Sequence, residues 1–300
     1  MSRLVVVAGP TGTGKSDLAV ELALRLDGEI VNADSMQLYR GMDIGTAKLA
    51  LEQRRGVPHH LLDVLDVTER ASVAAYQREA RAVIEQLIAT GRTPVLVGGS
   101  GLYIQSVIDE IAFPGTDPRL REHYLQRLDE EGADALHAEL SRVDPVAAQH
   151  ILSSNGRRVV RALEVVALTG APFSATMPVP GAARYDAVLL TLDVESATLD
   201  ERLAGRVHRM MDADFVGEVE GLLAAGLRDG VTASRALGYA QLIEARDGLC
   251  SLEDAVGRTI STTRRFVRRQ RSWFRRDSRR IDLDASRPDL VEAAMVAVSG

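Results

Sequence analysis

The stretch Gly9-Pro10-Thr11-Gly12-Thr13-Gly14-Lys15-Ser16 constrains this chain more than any other. Residues 4–8 before it form an apolar run. Residues 16–26 after it are amphipathic, with Leu18, Leu22 and Leu26 at helical spacing. Strand, glycine-rich loop and helix, in that order, are the context that the pattern G-x-x-x-x-G-K-[ST] requires. Glycines let the backbone wrap a polyanion with successive N–H groups turned inward. The positive end of the new helix points at the same place. Lys15 adds a mobile charge, and Ser16 offers a hydroxyl to Mg2+. The pattern predicts a bound diphosphate or triphosphate, without naming the molecule or its fate.

Residues 28–33 read as a second strand, which delivers Asp34-Ser35-Met36-Gln37 to its carboxyl end. Open α/β sheets bind ligands there, so Asp34 is expected beside the loop. Aspartate also caps turns, and that reading of Asp34 stays open. A loop of glycine and small polar residues runs from Gly41 to Lys48. Pro58-His59-His60-Leu61-Leu62-Asp63 follows it. Adjacent histidines with no cysteine nearby lack metal-ligand spacing, so a structural or substrate-lining role is expected rather than zinc. Residues 73–90 read as a helix. Residues 94–97 form a short strand ending in Gly98-Gly99-Ser100-Gly101-Leu102-Tyr103. An ATPase usually places a magnesium-supporting carboxylate after such a strand. Its absence here argues against ATP hydrolysis.

The patterning changes at Pro114-Gly115-Thr116-Asp117-Pro118. Residues 119–168 break into four charged helical pieces without a strand pattern, and Gly170, Pro172, Pro178 and Pro180 mark the exit. Residues 187–193 return as a strand. The expected fold is α/β, a doubly wound parallel sheet of the P-loop nucleoside-triphosphate-hydrolase type. Residues 1–113 and 185–300 form its core, and 114–184 an inserted all-helical domain. Arg202, Arg206 and Arg209 then share one helix face. Residues 215–225 form another helix, stopped by Gly226.

A long basic helix carries Arg264 to Arg276, and residues 280–284 read as a last strand. Between residues 258 and 280 stand ten arginines and one aspartate, a net +9. The whole chain has a net charge of −6, so the remainder carries −15. Global acidity excludes a generally basic nucleic-acid binder and leaves one local basic element. Its interleaved Phe266, Trp273 and Phe274 suit phosphate contacts with base stacking, against the plainer reading of a solvated face. The single cysteine, Cys250, rules out a disulfide framework. With no secretory leader and no membrane-length apolar run, a cytoplasmic protein is expected.

Together these marks resemble the tRNA dimethylallyltransferase family, the IPP transferases, over residues 4–283. They are the GPTGTGKS loop, Asn32-Ala33-Asp34-Ser35-Met36-Gln37-Leu38-Tyr39, the Gly41 to Lys48 loop, PHHLLD and the Gly98 to Tyr103 turn. Arg161-Ala162-Leu163-Glu164, Gly238-Tyr239 and the Arg-Gln-Arg-Ser-Trp-Phe run follow in order. The family often has threonine where Ser100 stands, and Asn-Asp where this chain has Asn155-Gly156. The resemblance implies transfer of a dimethylallyl group from dimethylallyl diphosphate, not ATP, to N6 of adenine 37 in tRNA. It implies a diphosphate site of Gly9, Pro10, Thr11, Gly12, Thr13, Gly14, Lys15, Ser16 and Arg202, with Mg2+ on Ser16. Asp34, Lys15 and Arg206 would be catalytic, Asp34 as the general base. Asp34, Ser35, Met36, Gln37, Ser100, Arg157, Arg158, Arg161, Arg268, Arg269 and Arg271 would face the tRNA anticodon arm, in a monomer. The rival readings are a P-loop small-molecule kinase, which leaves the basic helix unexplained, and an RNA-binding NTPase, which lacks the strand-end carboxylate.

Overall fold

The computed structural model describes residues 3–176 and 183–300. It divides into two compact units: Met1–Asp109 with Ala182–Gly300, and Glu110–Gly181. Asp109 bridges Ala183, and the Arg184 amide donates to the Ile108 carbonyl at 2.9 Å. These two contacts hold residues 183–184 in the first unit, so the division falls a few residues from the expected 114 and 184. The exit marks Pro178 and Pro180 lie outside the described residues.

In the first unit the chain runs β1 (Leu4–Ala8), α1 (Lys15–Arg25), β2 (Gly28–Asn32), β3 (His59–His60), α2 (Val73–Ala89), β4 (Thr93–Gly98) and α3 (Gly101–Ile108). The second unit contains α4 (Pro118–Glu131), α5 (Ala133–Val143), α6 (Pro145–His150) and α7 (Gly156–Thr169). The first unit resumes with β5 (Ala187–Asp193), α8 (Ser196–Asp212), α9 (Phe215–Ala224), α10 (Tyr239–Arg246), α11 (Leu252–Phe274), β6 (Arg280–Asp284) and α12 (Leu290–Ser299). Among the described residues one sheet forms, in the order β3-β2-β4-β1-β5-β6. Every pair is parallel, with Val6 opposite Leu96 on one side and Leu189 on the other.

β1 is continuously apolar because both of its faces are covered, as parallel strands require. Leu4, Val6 and Ala8 pack with Tyr76, Ala80 and Ile84 of α2 and with Ile104 and Val107 of α3. Val5 and Val7 pack with Leu18 and Leu22 of α1 and with Ala294 of α12. Each fully buried valine or leucine contributes about 1.5–3 kcal/mol. α12 falls in residues 286–300, which show no clear pattern of their own. Its role is to cover α1 and the β5–β6 edge. A third apolar cluster joins Tyr39 and Met42 to Phe215, Val219 and Tyr239.

The second unit has its own core of Leu136, Leu140, Val159, Val160 and Leu163. Its buried Glu164 accepts from Arg121 Nη2 at 2.7 Å and lies 3.1 Å from Arg161 Nη1. Two guanidinium groups thereby neutralise a carboxylate that would be costly to bury alone. His59 and His60 form the edge strand β3. His60 Nε2 meets Glu29 at 2.7 Å, and His59 Nδ1 meets the Val57 carbonyl at 2.8 Å. Among the described residues no helix is long and apolar enough to cross a membrane.

Candidate active site

The carboxyl ends of β1, β2 and β4 deliver three loops to one place. Gly14 caps α1 at φ +81°, a left-handed conformation that glycine adopts without a Cβ penalty. That turn aims the first amides of α1 into a cavity of about 990 Å3. Thr11, Gly12, Gly14, Lys15 and Ser16 line it, with Asp34 and Gln37 from the β2 end and Arg202, Arg206 and Arg209 from α8. Gly9, Pro10 and Thr13 do not line it. Gly9 and Pro10 lie behind the loop, over Thr191 and Asp193, and the buried Thr13 hydroxyl donates to the Pro10 carbonyl at 2.9 Å. These three residues shape the loop rather than line this cavity.

Lys15 Nζ donates to the Pro10 carbonyl at 2.6 Å, so its ammonium is folded back under the loop. Burial lowers its pKa to about 8, against the opposing pull of Asp34, while Arg206 adds to the depression. Arg206 Nη1 donates to Thr11 Oγ1 at 3.0 Å and Nη2 to the Thr46 carbonyl at 3.2 Å. Burial draws Arg206 below its ordinary value and Asp34 draws it back. Arg202 lies on the rim of the same cavity, exposed. Of the two, Arg206 is the one fixed against the loop.

A second cavity, of about 340 Å3, adjoins the first. Leu203, Val207, Met210 and Phe215 line one side, and Thr263, Phe266 and Arg269 of α11 another. Ser35, Met36 and Ser100 open onto it as well. The two cavities share Thr11, Asp34, Thr46, Arg206 and Met210, and Asp34 carries the one carboxylate on that common wall. Asp34 is tightly held. Its amide donates to Asn32 Oδ1 at 2.9 Å, and its Oδ1 accepts the Met36 amide at 3.0 Å. One oxygen of Asp34 thus caps a turn, while the residue lines both cavities. The Ser35 amide donates to Ser100 Oγ at 3.3 Å.

Other expected site residues are placed differently. Gln37 lines the loop cavity, and its amide donates to the Thr46 carbonyl at 3.2 Å. Arg268 and Arg269 are exposed on α11. Arg271 is turned inward: its guanidinium donates to Asp193 Oδ1 at 2.7 Å, the Val194 carbonyl at 2.6 Å and Ser196 Oγ at 2.8 Å. It locks α11 to the end of β5 and is removed from the tRNA-facing set. Arg161 is likewise spent on Glu164 and the Pro114 carbonyl, the latter at 2.8 Å, which removes it too. Arg157 and Arg158 stand exposed on α7, in the second unit.

Sequence reading missed three supports. Glu218 accepts the amides of Asp43, Ile44 and Gly45 at 3.0, 2.7 and 3.2 Å and the Tyr239 hydroxyl at 2.5 Å, fixing the loop that holds Arg206. Lys48 Nζ lies 2.5 Å from both Asp43 and Asp63. Gln270, inside the arginine run, is buried. The GMDIGTAK loop hinted at the first two, since so many glycines and charges need fixed partners.

Fold and site together define an α/β protein with a glycine-rich loop and a carboxylate shared by two cavities at the carboxyl ends of a parallel sheet. The IPP transferase family model matches residues 37–277, and the chain belongs to that family. It is 58% identical to a tRNA dimethylallyltransferase of Thermobifida fusca, over 99% of this chain and 95% of the relative. A tRNA dimethylallyltransferase of Mycolicibacterium smegmatis is 59% identical, with 98% of each chain covered. The crystal structure of a full-length tRNA isopentenylpyrophosphate transferase from Bacillus halodurans is similar at a TM-score of 0.73 and 37% identity. That match covers 100% of this chain and 95% of the other. A eukaryotic dimethylallyltransferase solved acting on tRNA matches at a TM-score of 0.83 and 27% identity, covering 100% of this chain and 79% of that one.

Proposed function

We propose that this chain transfers the dimethylallyl group of dimethylallyl diphosphate to N6 of adenine 37 in tRNA, beside the anticodon, and releases pyrophosphate. The observation that carries this reading is Asp34, held on the wall common to a cationic, amide-lined cavity and a cavity edged by the basic helix. The family and the named relatives support it.

The chemistry follows from the residues. The exocyclic amine of adenine is a weak nucleophile, because its lone pair feeds the ring, so the electrophile must be activated. The diphosphate occupies the loop cavity under the α1 amides, Lys15 and Arg206, which stabilise charge developing on the departing oxygen. Lys15 must leave the Pro10 carbonyl to reach it, exchanging one acceptor for a better one. The allylic carbon points toward Asp34. Adenine leaves its stack and enters the second cavity. The C–N6 bond forms, the allylic C–O bond breaks, and its electron pair leaves with pyrophosphate. Asp34 orients the amine and takes the N6 proton.

A magnesium ion suits this donor set. Ser16 would hold it, with phosphate oxygens and waters completing the shell, as magnesium prefers. When bound it neutralises part of the pyrophosphate charge. The strand–loop–helix setting supports a phosphate-loop fold, and the exposed Arg157 and Arg158 support the helical unit as a grip on the anticodon arm. The test is incubation with labelled dimethylallyl diphosphate and unmodified tRNA, without ATP. Label is expected in N6-dimethylallyladenosine at position 37. Transfer that requires ATP, or label at no adenine, would overturn the reading.

A further inference from the structure

α11 reads as an RNA-facing element, yet its inward stripe is what touches the diphosphate loop. Val267, Gln270 and Phe274 are buried along that stripe, while Arg268 and Arg269 face out. Gln270 is only 6% exposed, and both ends of its amide are used. Its Oε1 accepts the Thr11 amide at 3.1 Å, and its Nε2 donates to the Gly99 carbonyl at 2.9 Å. The partners fix the orientation of the group, an acceptor against an N–H and a donor against a carbonyl. Gly99 is small for this reason: a Cβ there would lie 2.4 Å from Gln270 Nε2. Thr11, held through its amide, presents its hydroxyl to Arg206 at 3.0 Å.

We propose that Gln270 is a positioning residue for the transfer. It holds the Thr11 corner of the glycine-rich loop against the β4 turn, so that Thr11 fixes the Arg206 guanidinium where the diphosphate leaves. The buried glutamine thus links the helix carrying Arg268 and Arg269 to the loop carrying Lys15. A purely structural glutamine would affect every property of the site equally. A positioning one acts through Thr11 and Arg206 alone.

The inference rests on the function proposed above, and the wild-type protein separates the two. If it transfers label, that function stands whatever the variants do. The experiment compares Gln270→Met, which keeps the length and loses both hydrogen bonds, with Thr11→Val, which loses the hydroxyl, and with the pair. Misplacing a group by about 1 Å can cost about 100-fold. Gln270→Met is expected to lower kcat/KM for dimethylallyl diphosphate about 10- to 100-fold, with tRNA Kd within about threefold of wild type. The double variant should be no worse than about threefold below the weaker single, because both changes break one chain of interactions. Gly99→Ala displaces Gln270 without altering it and should reproduce the pattern, which serves if Gln270→Met folds poorly. Independent, multiplying losses, equal loss of tRNA affinity, or unchanged kcat/KM in a folded variant would overturn the proposal.

Discussion

Lys15 shows how burial turns one side chain into a pH-dependent part. Its pKa is lowered to about 8, so the free enzyme carries the full charge below that value and loses it as pH rises through it. The pH dependence of kcat/KM reports groups of the free enzyme. It is expected to fall above about pH 8 for dimethylallyl diphosphate, approaching a tenfold loss per unit. A profile flat to about pH 9.5 would contradict a Lys15 charge that is both needed for the diphosphate and lost near pH 8. The Lys15→Ala variant should lose diphosphate binding and transfer while keeping tRNA affinity. A gel-shift assay showing equal loss of tRNA binding would refute that separation. The strand–loop–helix order around the loop was legible, since the apolar run before it and the amphipathic run after it are plain in the sequence. The fine division was not. Thr13 is buried with its hydroxyl on the Pro10 carbonyl, whereas Thr11 lines both cavities, and nothing in the two threonines' spacing separates them.

At the scale of elements, α11 is two helices in one. Its outer arginines are exposed, and its inner stripe fastens the loop, the β4 turn and the end of β5. Neutralising Arg268 and Arg269 together is expected to weaken tRNA binding. The log–log salt slope should fall by about 0.7–0.9 for each phosphate that the variant leaves unpaired. An unchanged slope would make this face merely solvated. Arg271→Gln should behave otherwise, lowering thermal stability by about 1–3 kcal/mol through its charged hydrogen bonds to Asp193. A salt slope that shifts with melting unchanged would return Arg271 to the RNA-facing set. Composition could not separate these arginines, because density of charge says nothing of direction. Periodicity could: residues 267, 270, 271 and 274 recur on one side of a helix, and the apolar members mark it as the inner one.

Across the molecule, the strands β1, β2, β4 and β5 followed from apolar runs with clear punctuation, whereas their order in the sheet leaves no such mark in the sequence. β3 did not follow, because two histidines carry no strand pattern; its backbone pairs with β2, and the His60 ring meets Glu29 of that strand. α12 was illegible because its apolar residues gain meaning only against α1 and the sheet. Charge is equally uneven, with +9 between residues 258 and 280 against −15 elsewhere. In the proposed reaction RNA approaches the cavity edged by Arg269 and Phe266, and the diphosphate the cavity lined by Lys15. Asp34 lies where the two meet, and the account stands or falls there. The most direct measurement is single-turnover transfer by Asp34→Asn with saturating tRNA and dimethylallyl diphosphate. Asparagine preserves the turn cap and removes the base, so the rate should fall about 10²–10⁴-fold, the range for a general acid–base, with diphosphate affinity and melting nearly unchanged. A rate within about threefold of the parent would remove Asp34 from the mechanism and contradict the account.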